Sequence, residues 1–270
     1  MDSPWRLDTI ALADSALLAG TLLLAAPFFS ASAESEPVSV GAFSTAPAEA
    51  GLPAGWRLVQ LPGIAPTEFR LVEDAGTRVV RINADSAAAS LVRPLRVDPA
   101  AYPLLRWRWR VDNLIEGADY RRKDGDDFPA RLYVMFDYPL SRLSLFDRGK
   151  IELARRLAGV EVPAAALCYV WDKDARVGTS VWSPYTERVR IIVLRSGASS
   201  VGRWASEQRD LAWDFRDAFG EDAPMISGIA IAADTDQTGA QATAWIGDIE
   251  LNTRPGTSQS GAPLSPLHAE

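Results

Sequence analysis

Apolar and polar side chains alternate along many short segments between residues 41 and 252. In the clearest segment, RWRWRV, the alternating side chains are Trp107, Trp109 and Val111 on one side and Arg106, Arg108 and Arg110 on the other. Because the side chains of a strand point alternately to its two faces, this pattern predicts a strand with one buried face and one cationic face. A guanidinium keeps its proton, so each arginine needs water, a carboxylate or an anionic ligand.

Ten strand-like segments are separated by Pro, Gly, Asn and Asp. They cover residues 56–61, 68–72, 78–84, 90–97, 104–111, 130–137, 164–171, 189–194, 226–233 and 242–251. Residues 143–157 and 210–219 have helical spacing instead, and a glycine follows each of them. Short strands without regular helix alternation predict an all-β fold. We therefore expect a jelly-roll-like antiparallel β-sandwich, of the carbohydrate-binding or concanavalin-like kind, with two short helical insertions.

Residues 226–251, ISGIAIAADTDQTGAQATAWIGDIEL, predict a β-hairpin whose last strand is similar to the closing strand of many jelly-roll sandwiches. Six motifs along the chain are GWRL near Trp56, YPLLRWRWRV from Tyr102, KDGDDFPARLYVMF from Lys123, ALCYVW from Ala166, RWASEQRDLAWDFRDAFG from Arg203 and ADTDQTGAQATAWIGDIEL from Ala233. Together they resemble the bacterial family catalogued as domain of unknown function 3047, over residues 50–252. The resemblance implies no activity, because that family has no established catalytic residues.

The N-terminal segment is typical of an export signal. Residues 16–29, ALLAGTLLLAAPFF, carry no charge, and Ala31-Ser32-Ala33 supplies small residues for cleavage. This segment is shorter than the run of about 20 apolar residues that a transmembrane helix needs. Three aspartates and one arginine replace the usual positive start, so an uncleaved anchor or a disordered leader is the alternative. We expect a signal peptide (1–33), a linker (34–49), a β-sandwich domain (50–253), a disordered tail (254–270) and a periplasmic or secreted location, with no membrane span after cleavage.

Composition excludes several classes of protein. The formal net charge of −7 argues against nucleic-acid binding, which needs a basic surface. Cys168 is the only cysteine and lies in an apolar run, so it is expected to be a small buried hydrophobic residue. His268, the only histidine, lies in the predicted tail. Catalysis through Ser-His-Asp or Cys-His and histidine-ligated zinc are therefore excluded.

Charged residues on the predicted strands are the candidate ligand-binding residues. They are Arg108, Arg110, Asp126, Asp127, Arg131, Glu207 and Arg209. If they meet on one surface, they form either an internal ion-pair network or a partly open site for a uronate, a sugar diol or another polar ligand, because a guanidinium binds a carboxylate at two points. Asp210 and Asp214 could supply paired carboxylates for glycoside hydrolysis, or serve as a helix N-cap and a solvated helical position.

Asp234 and Asp236, in DTDQTG, are the candidate metal ligands. Alternating oxygen ligands suit Ca²⁺, so a structural calcium site is one interpretation, and we expect no other cofactor. The alternative is a turn in which Gly239 takes positive φ. Among the tryptophans, the four on apolar strands are expected in the core, and two near loops are better ligand candidates. The first group is Trp107, Trp109, Trp171 and Trp245, and the second is Trp182 and Trp204.

Three functions remain open from the sequence. The leading hypothesis is an exported β-sandwich that binds a polar ligand, such as a glycan, through its arginine and carboxylate surface. A carboxylate-dependent polysaccharide hydrolase or lyase would use the same surface. A structural or partner-binding envelope protein would have every charge paired internally.

Overall fold

The fold is a two-layer β-sandwich. A computed structural model describes residues 36–47, 51–145, 148–149, 152 and 163–255. Its strands are β1 (Val38–Gly41), β2 (Arg57–Gln60), β3 (Glu68–Asp74), β4 (Thr77–Asp85), β5 (Ala88–Val97), β6 (Leu104–Val111), β7 (Phe128–Phe136), β8 (Ala166–Asp172), β9 (Ser180–Ser183), β10 (Thr186–Ser196), β11 (Ala205–Asp210), β12 (Ile226–Asp234) and β13 (Gln241–Asn252). The helix α1 (Leu211–Phe219) follows β11 directly. The predicted all-β sandwich is confirmed.

Two sheets form the layers. Sheet A has the order β11-β6-β13-β4-β3, and β1 also pairs with β13. Sheet B has the order β2-β5-β12-β7-β8-β10-β9. The strand pairs are antiparallel except β8 with β10, which is parallel. Neighbouring strands are often far apart in sequence, so the sheets depend on long-range pairing.

The alternating pattern of β6 places its aromatic side chains between the sheets. Trp107, Trp109 and Val111 are buried, as predicted. The ring of Trp107 lies 5.5 Å from Tyr169, and that of Trp109 lies 6.0 Å from Trp171, both on β8. These contacts between large aromatic surfaces join the two layers and stabilise the core.

A second hydrophobic cluster lies on the outer face of sheet B. Its buried members are Phe128, Cys168, Val170, Ala175, Ile191 and Val193. Every residue of β8 is therefore buried, because both of its faces are covered. This explains why ALCYVW reads as a continuous apolar run instead of an alternating one.

Most of the predicted elements are present, and one predicted pairing is wrong. All ten predicted strands and the helix at 210–219 form, with Asp210 accepting the Trp213 N–H at 3.0 Å as N-cap. Residues 226–251 do not form a hairpin, because β12 belongs to sheet B and β13 to sheet A. β1, β9 and β11 were not predicted.

Several predictions fall outside the described residues. These are the signal peptide at 1–33, most of the helix at 143–157 and nearly all of the tail at 254–270. Among the helices that the structure describes, none is long and apolar enough to cross a membrane.

Candidate functional site

The predicted site residues lie in three separate places, so the prediction that they share one surface is wrong. Arg108 and Arg110 point outward from sheet A, because their neighbours on β6 fill the core. Arg131 points outward from sheet B, where Asp126, Asp127, Asp234 and Asp236 accompany it. Glu207 and Arg209 lie on the edge strand β11, on the side that faces the core. The outer faces of a sandwich point in opposite directions, which separates the first two groups.

The Arg131 group is a buried ion-pair network. The Arg131 side chain is 3% exposed, and its Nε donates to Asp234 Oδ1 at 2.7 Å. A second guanidinium nitrogen lies 3.5 Å from the Asp126 carboxylate. The guanidinium also lies 4.4 Å from the centre of the Phe128 ring. These contacts satisfy the arginine inside the protein, so this group fits the internal-network interpretation.

Burial dominates the protonation equilibria around Arg131. Desolvation raises the pKa of Asp234 to about 7, although the Arg131 charge acts in the opposite direction. Desolvation also raises the pKa of Asp126, again against Arg131. Burial raises the pKa of the Cys168 thiol to about 12, so this thiol stays protonated and is not a nucleophile.

The candidate calcium residues lie at the edge of this network. Asp127, Asp234 and Asp236 each offer a carboxylate oxygen, and these oxygens lie within 4.8 Å of one another. Oxygen ligands of this kind suit Ca²⁺. However, Asp234 already pairs with Arg131, and Asp127 accepts the backbone N–H of Thr238 at 2.7 Å. The calcium site therefore stays a prediction, with Asp127 added to its ligand set.

The β11 edge contains a second polar network. Glu207 accepts from Arg195 at 2.6 Å and from the Trp109 indole N–H at 2.9 Å. Arg209 donates to Asp214 at 2.8 Å, and the Tyr169 hydroxyl donates to the same carboxylate at 2.6 Å.

Asp214 is only 2% exposed, so its expected position on a solvated helix face is wrong. Desolvation and the neighbouring Asp214 carboxylate raise the pKa of Tyr169 well above its ordinary value. Ion pairs and hydrogen bonds hold both Glu207 and Asp214 in place. This arrangement favours a structural role for them over paired hydrolytic carboxylates.

The outer face of sheet A combines arginine with tryptophan. Arg110 forms a two-point ion pair with Asp74, at 3.1 and 3.2 Å, and its guanidinium lies 4.0 Å from the Trp245 ring centre. Trp245 is 8% exposed, so it is buried as expected, but under Arg110 rather than between the sheets. The indole N–H of Trp204 donates to Asp74 at 2.9 Å. This hydrogen bond is the main cause of the lowered pKa of Asp74, with Arg110 adding to it.

Arg108 differs from the other candidate arginines. Its guanidinium lies 4.6 Å from the Trp204 ring centre, and within the described residues no carboxylate lies at ion-pairing distance from it. Its side chain lies across Gly247, where a Cβ atom would come within 2.6 Å of Arg108 Cγ. The half-buried Arg108 therefore presents N–H donors beside an aromatic ring. Its charge helps to lower the pKa of Asp74, but within the described residues it forms no ion pair.

Asp74 belongs to this surface, although the sequence analysis did not single it out. It ends β3, in the turn to β4, and nothing in its local pattern connects it to Trp204 or Arg110. Of the two loop tryptophans, Trp204 is part of this surface. Trp182 is half-buried on β9, 5.3 Å from Phe219 and 4.8 Å from the Arg190 guanidinium.

The fold defines the protein as a β-sandwich with charged and aromatic residues on its outer faces. The chain belongs to the family described as Protein of unknown function (DUF3047), whose pattern matches residues 54–250. The resemblance inferred from the motifs is therefore confirmed. No curated protein matches the sequence.

Several solved structures have a similar fold. The family 30 carbohydrate-binding module of the cellulosomal cellulase Cel9D-Cel44B of Clostridium thermocellum is 11% identical and has a TM-score of 0.38, covering 81% of this chain and 99% of its own. The xyloglucanase domain of NopAA from Sinorhizobium fredii is 8% identical and has a TM-score of 0.40, and the match covers 75% of this chain and 96% of that domain. A non-crystalline cellulose specific carbohydrate-binding module, CBM28, is 14% identical and has a TM-score of 0.34, and the match covers 82% of this chain and 93% of that module.

Proposed function

We propose that the protein binds a negatively charged glycan through Arg108 and Trp204 on the outer face of sheet A. The supporting observation is the difference among the arginines. Arg110, Arg131 and Arg209 each form an ion pair with an aspartate, whereas within the described residues Arg108 forms none. Its guanidinium lies over the Trp204 ring, and its charge acts on Asp74 only from beyond ion-pairing distance. A guanidinium binds a carboxylate at two points, so Arg108 is suited to a uronate group.

Trp204 supplies the apolar part of the same site. The Arg108 and Arg110 guanidinium groups lie 4.6 and 5.2 Å from the centre of its ring, and a sugar ring would stack on the part of the indole that they leave open. Trp204 is held in place by its hydrogen bond to Asp74, which is itself fixed by Arg110. A side chain that is already ordered loses little entropy when the ligand binds, so the fixed ring favours binding.

The alternatives have weaker support. In a protein whose charges are all paired internally, every arginine would have an ion pair, whereas within the described residues Arg108 forms none. A hydrolase needs carboxylates free for proton transfer, whereas Glu207 and Asp214 are held by arginines. An exported location, predicted from residues 1–33, would place the protein where extracellular glycans occur.

Binding can be tested with oligogalacturonates, neutral cello-oligosaccharides and oligothymidylate in isothermal titration calorimetry. We expect the uronate oligomers to bind and the neutral oligomers not to bind, because Arg108 needs an anion. Oligothymidylate, which is also anionic, tests whether the preferred ligand is a nucleic acid instead of a glycan. Arg108→Ala should weaken binding by about tenfold to a hundredfold, the loss of one charge-assisted hydrogen bond.

Arg96→Ala is the matched control, because Arg96 is an exposed arginine of sheet B that pairs with Asp137. This variant should bind like the wild type. Equal affinities of wild type, Arg108→Ala and Arg96→Ala would refute the assignment of Arg108, and stronger binding of oligothymidylate would refute the ligand class.

A further inference from the structure

The polar surface around Arg108 continues along the edge strand β11. Two outward-facing residues of β11, Ser206 and Gln208, lie opposite Arg108 and Arg106 of β6. Arg106 donates to the neutral Gln208 side chain at 2.6 Å, and within the described residues it has no ion-paired carboxylate. Glu250 of β13 lies opposite Arg106 in the strand pairing. Within the described residues, however, neither Arg106 nor Arg108 forms an ion pair, so the surface has two unpaired guanidinium groups two residues apart on one strand.

The same strand runs from one tryptophan to another. Trp204 immediately precedes β11, and Trp213 follows its last residue by three positions. The strand residue Asp210 accepts the Trp213 backbone N–H, which places Trp213 at that end of the strand. Six residues of strand span about 20 Å, so the two tryptophans stand about this far apart along the edge of sheet A, one before β11 and one beyond its end.

Trp213 is unusually open for its residue type. Its residue is 61% exposed, whereas tryptophan is highly buried on average. On α1, the buried Leu211, Asp214 and Phe215 face the sandwich, so Trp213 lies on the solvent side of the helix. Its neighbour Asp210 pairs with Arg254 at 2.6 Å, which fixes the polar surroundings of the ring. Trp213 therefore offers a free aromatic face next to a fixed polar group.

We propose that the ligand is an extended anionic polysaccharide chain, which lies along β11 from Trp204 to Trp213. This inference rests on the proposed function and adds the length, the direction and the second anchor of the ligand. Arg106 and Arg108 are about 7 Å apart along β6, so a polymer with regularly spaced carboxylates can reach both. Each tryptophan stacks on a sugar at one end of the bound segment.

A chain of this kind gains affinity when it reaches the second tryptophan. Once Trp204 and Arg108 hold one end, contact with Trp213 becomes an intramolecular step at high effective concentration. Affinity should therefore rise with oligomer length and become constant when the oligomer spans the distance between the two rings. A site for a single sugar would show no such dependence.

The test measures the affinity of the full-length protein for oligogalacturonates of increasing length. In the wild type, we expect a rise followed by a plateau. Trp213→Ala should bind short oligomers as the wild type does and long ones about tenfold less tightly. Tyr185→Ala is the matched control, because Tyr185 is another exposed aromatic residue, and it should keep the full length dependence. Circular dichroism verifies that each variant is folded.

The outcomes separate the two proposals. If Arg108→Ala weakens the binding of all oligomers but length and Trp213→Ala have no effect, the extended chain is refuted and the glycan site stands. If the wild type binds none of the oligomers, both are refuted. An equal loss for short and long oligomers in Trp213→Ala would also refute the extended chain, because Trp213 would then not act as a distant anchor.

Discussion

Replacing Arg131 with methionine should destabilise the protein strongly. The guanidinium is buried and holds the carboxylates of Asp234 and Asp126, whose side chains are 17% and 9% exposed. Methionine keeps an aliphatic chain of similar length next to Phe128 but removes the charge. Both aspartates then lack their cation in a poorly solvated position, where hydration cannot replace the ion pair.

The size of the effect follows from that burial. Breaking a buried ion pair by removing one partner costs about 3 to 5 kcal/mol. For a domain of this size, 1 kcal/mol corresponds to about 2 to 4 °C in Tm, so Arg131→Met should lower Tm by about 6 to 20 °C. The loss should be smaller at pH 5 than at pH 8, because a protonated Asp234 no longer carries an unpaired charge.

Urea denaturation followed by tryptophan fluorescence measures this free energy of unfolding. Arg96→Met is the control, because the Arg96–Asp137 pair is 69% and 58% exposed and such pairs contribute at most about 1 kcal/mol. A loss below about 1 kcal/mol for Arg131→Met at pH 8, where Asp234 is ionised, would contradict the view that this network is a structural ion-pair cluster.

Three further predictions concern single side chains. Folded Asp234 keeps its proton up to about pH 7, whereas its ordinary pKa is 3.8, so Tm should fall as the pH rises from 4 to 8. Asp234→Asn should reduce this dependence of Tm on pH. Identical slopes for the variant and the wild type would exclude the raised pKa. Tyr169→Phe removes the donor that contacts Asp214 at 2.6 Å and should cost about 1 to 3 kcal/mol in urea denaturation, whereas an unchanged midpoint would show that this bond contributes little. Gly247→Ala would bring a Cβ atom within 2.6 Å of Arg108 Cγ, so it should displace the Arg108 side chain, weaken uronate binding in calorimetry and cost about 1 to 3 kcal/mol in stability. Undiminished affinity would argue against Arg108 as the contact.

Local patterns predicted the strands whose two faces have different surroundings. RWRWRV alternates because one face lies in the core and the other meets polar groups. β11, with the sequence ASEQRD, was missed because its core-facing side carries Glu207 and Arg209, which reach ion pairs at the sheet edge. A strand that carries polar side chains on both faces has no apolar periodicity by which it could be predicted.

Pairing between distant strands was not predictable from local patterns. The turn residues before β13 predicted a hairpin, yet β12 and β13 lie in different sheets. The ion pairs were not predictable from local patterns either, because Arg131 and Asp234 are 103 residues apart and no local feature determines their contact. Local chemistry describes what a turn can do, whereas the partners of each strand depend on the whole set of strands.

The sequence by itself determined the β-sandwich class, the two faces of β6, the helix after Asp210 and the absence of histidine or cysteine chemistry, because each follows from residue type and spacing along the chain. Only the tertiary structure decided which arginine meets which carboxylate. Arg110, Arg131 and Arg209 are chemically identical to Arg108, and they differ only in the aspartates that sheet packing brings to them. Side-chain contacts between residues far apart in the chain are set by the arrangement of the strands, which is why the surface proposed for binding became visible only in three dimensions.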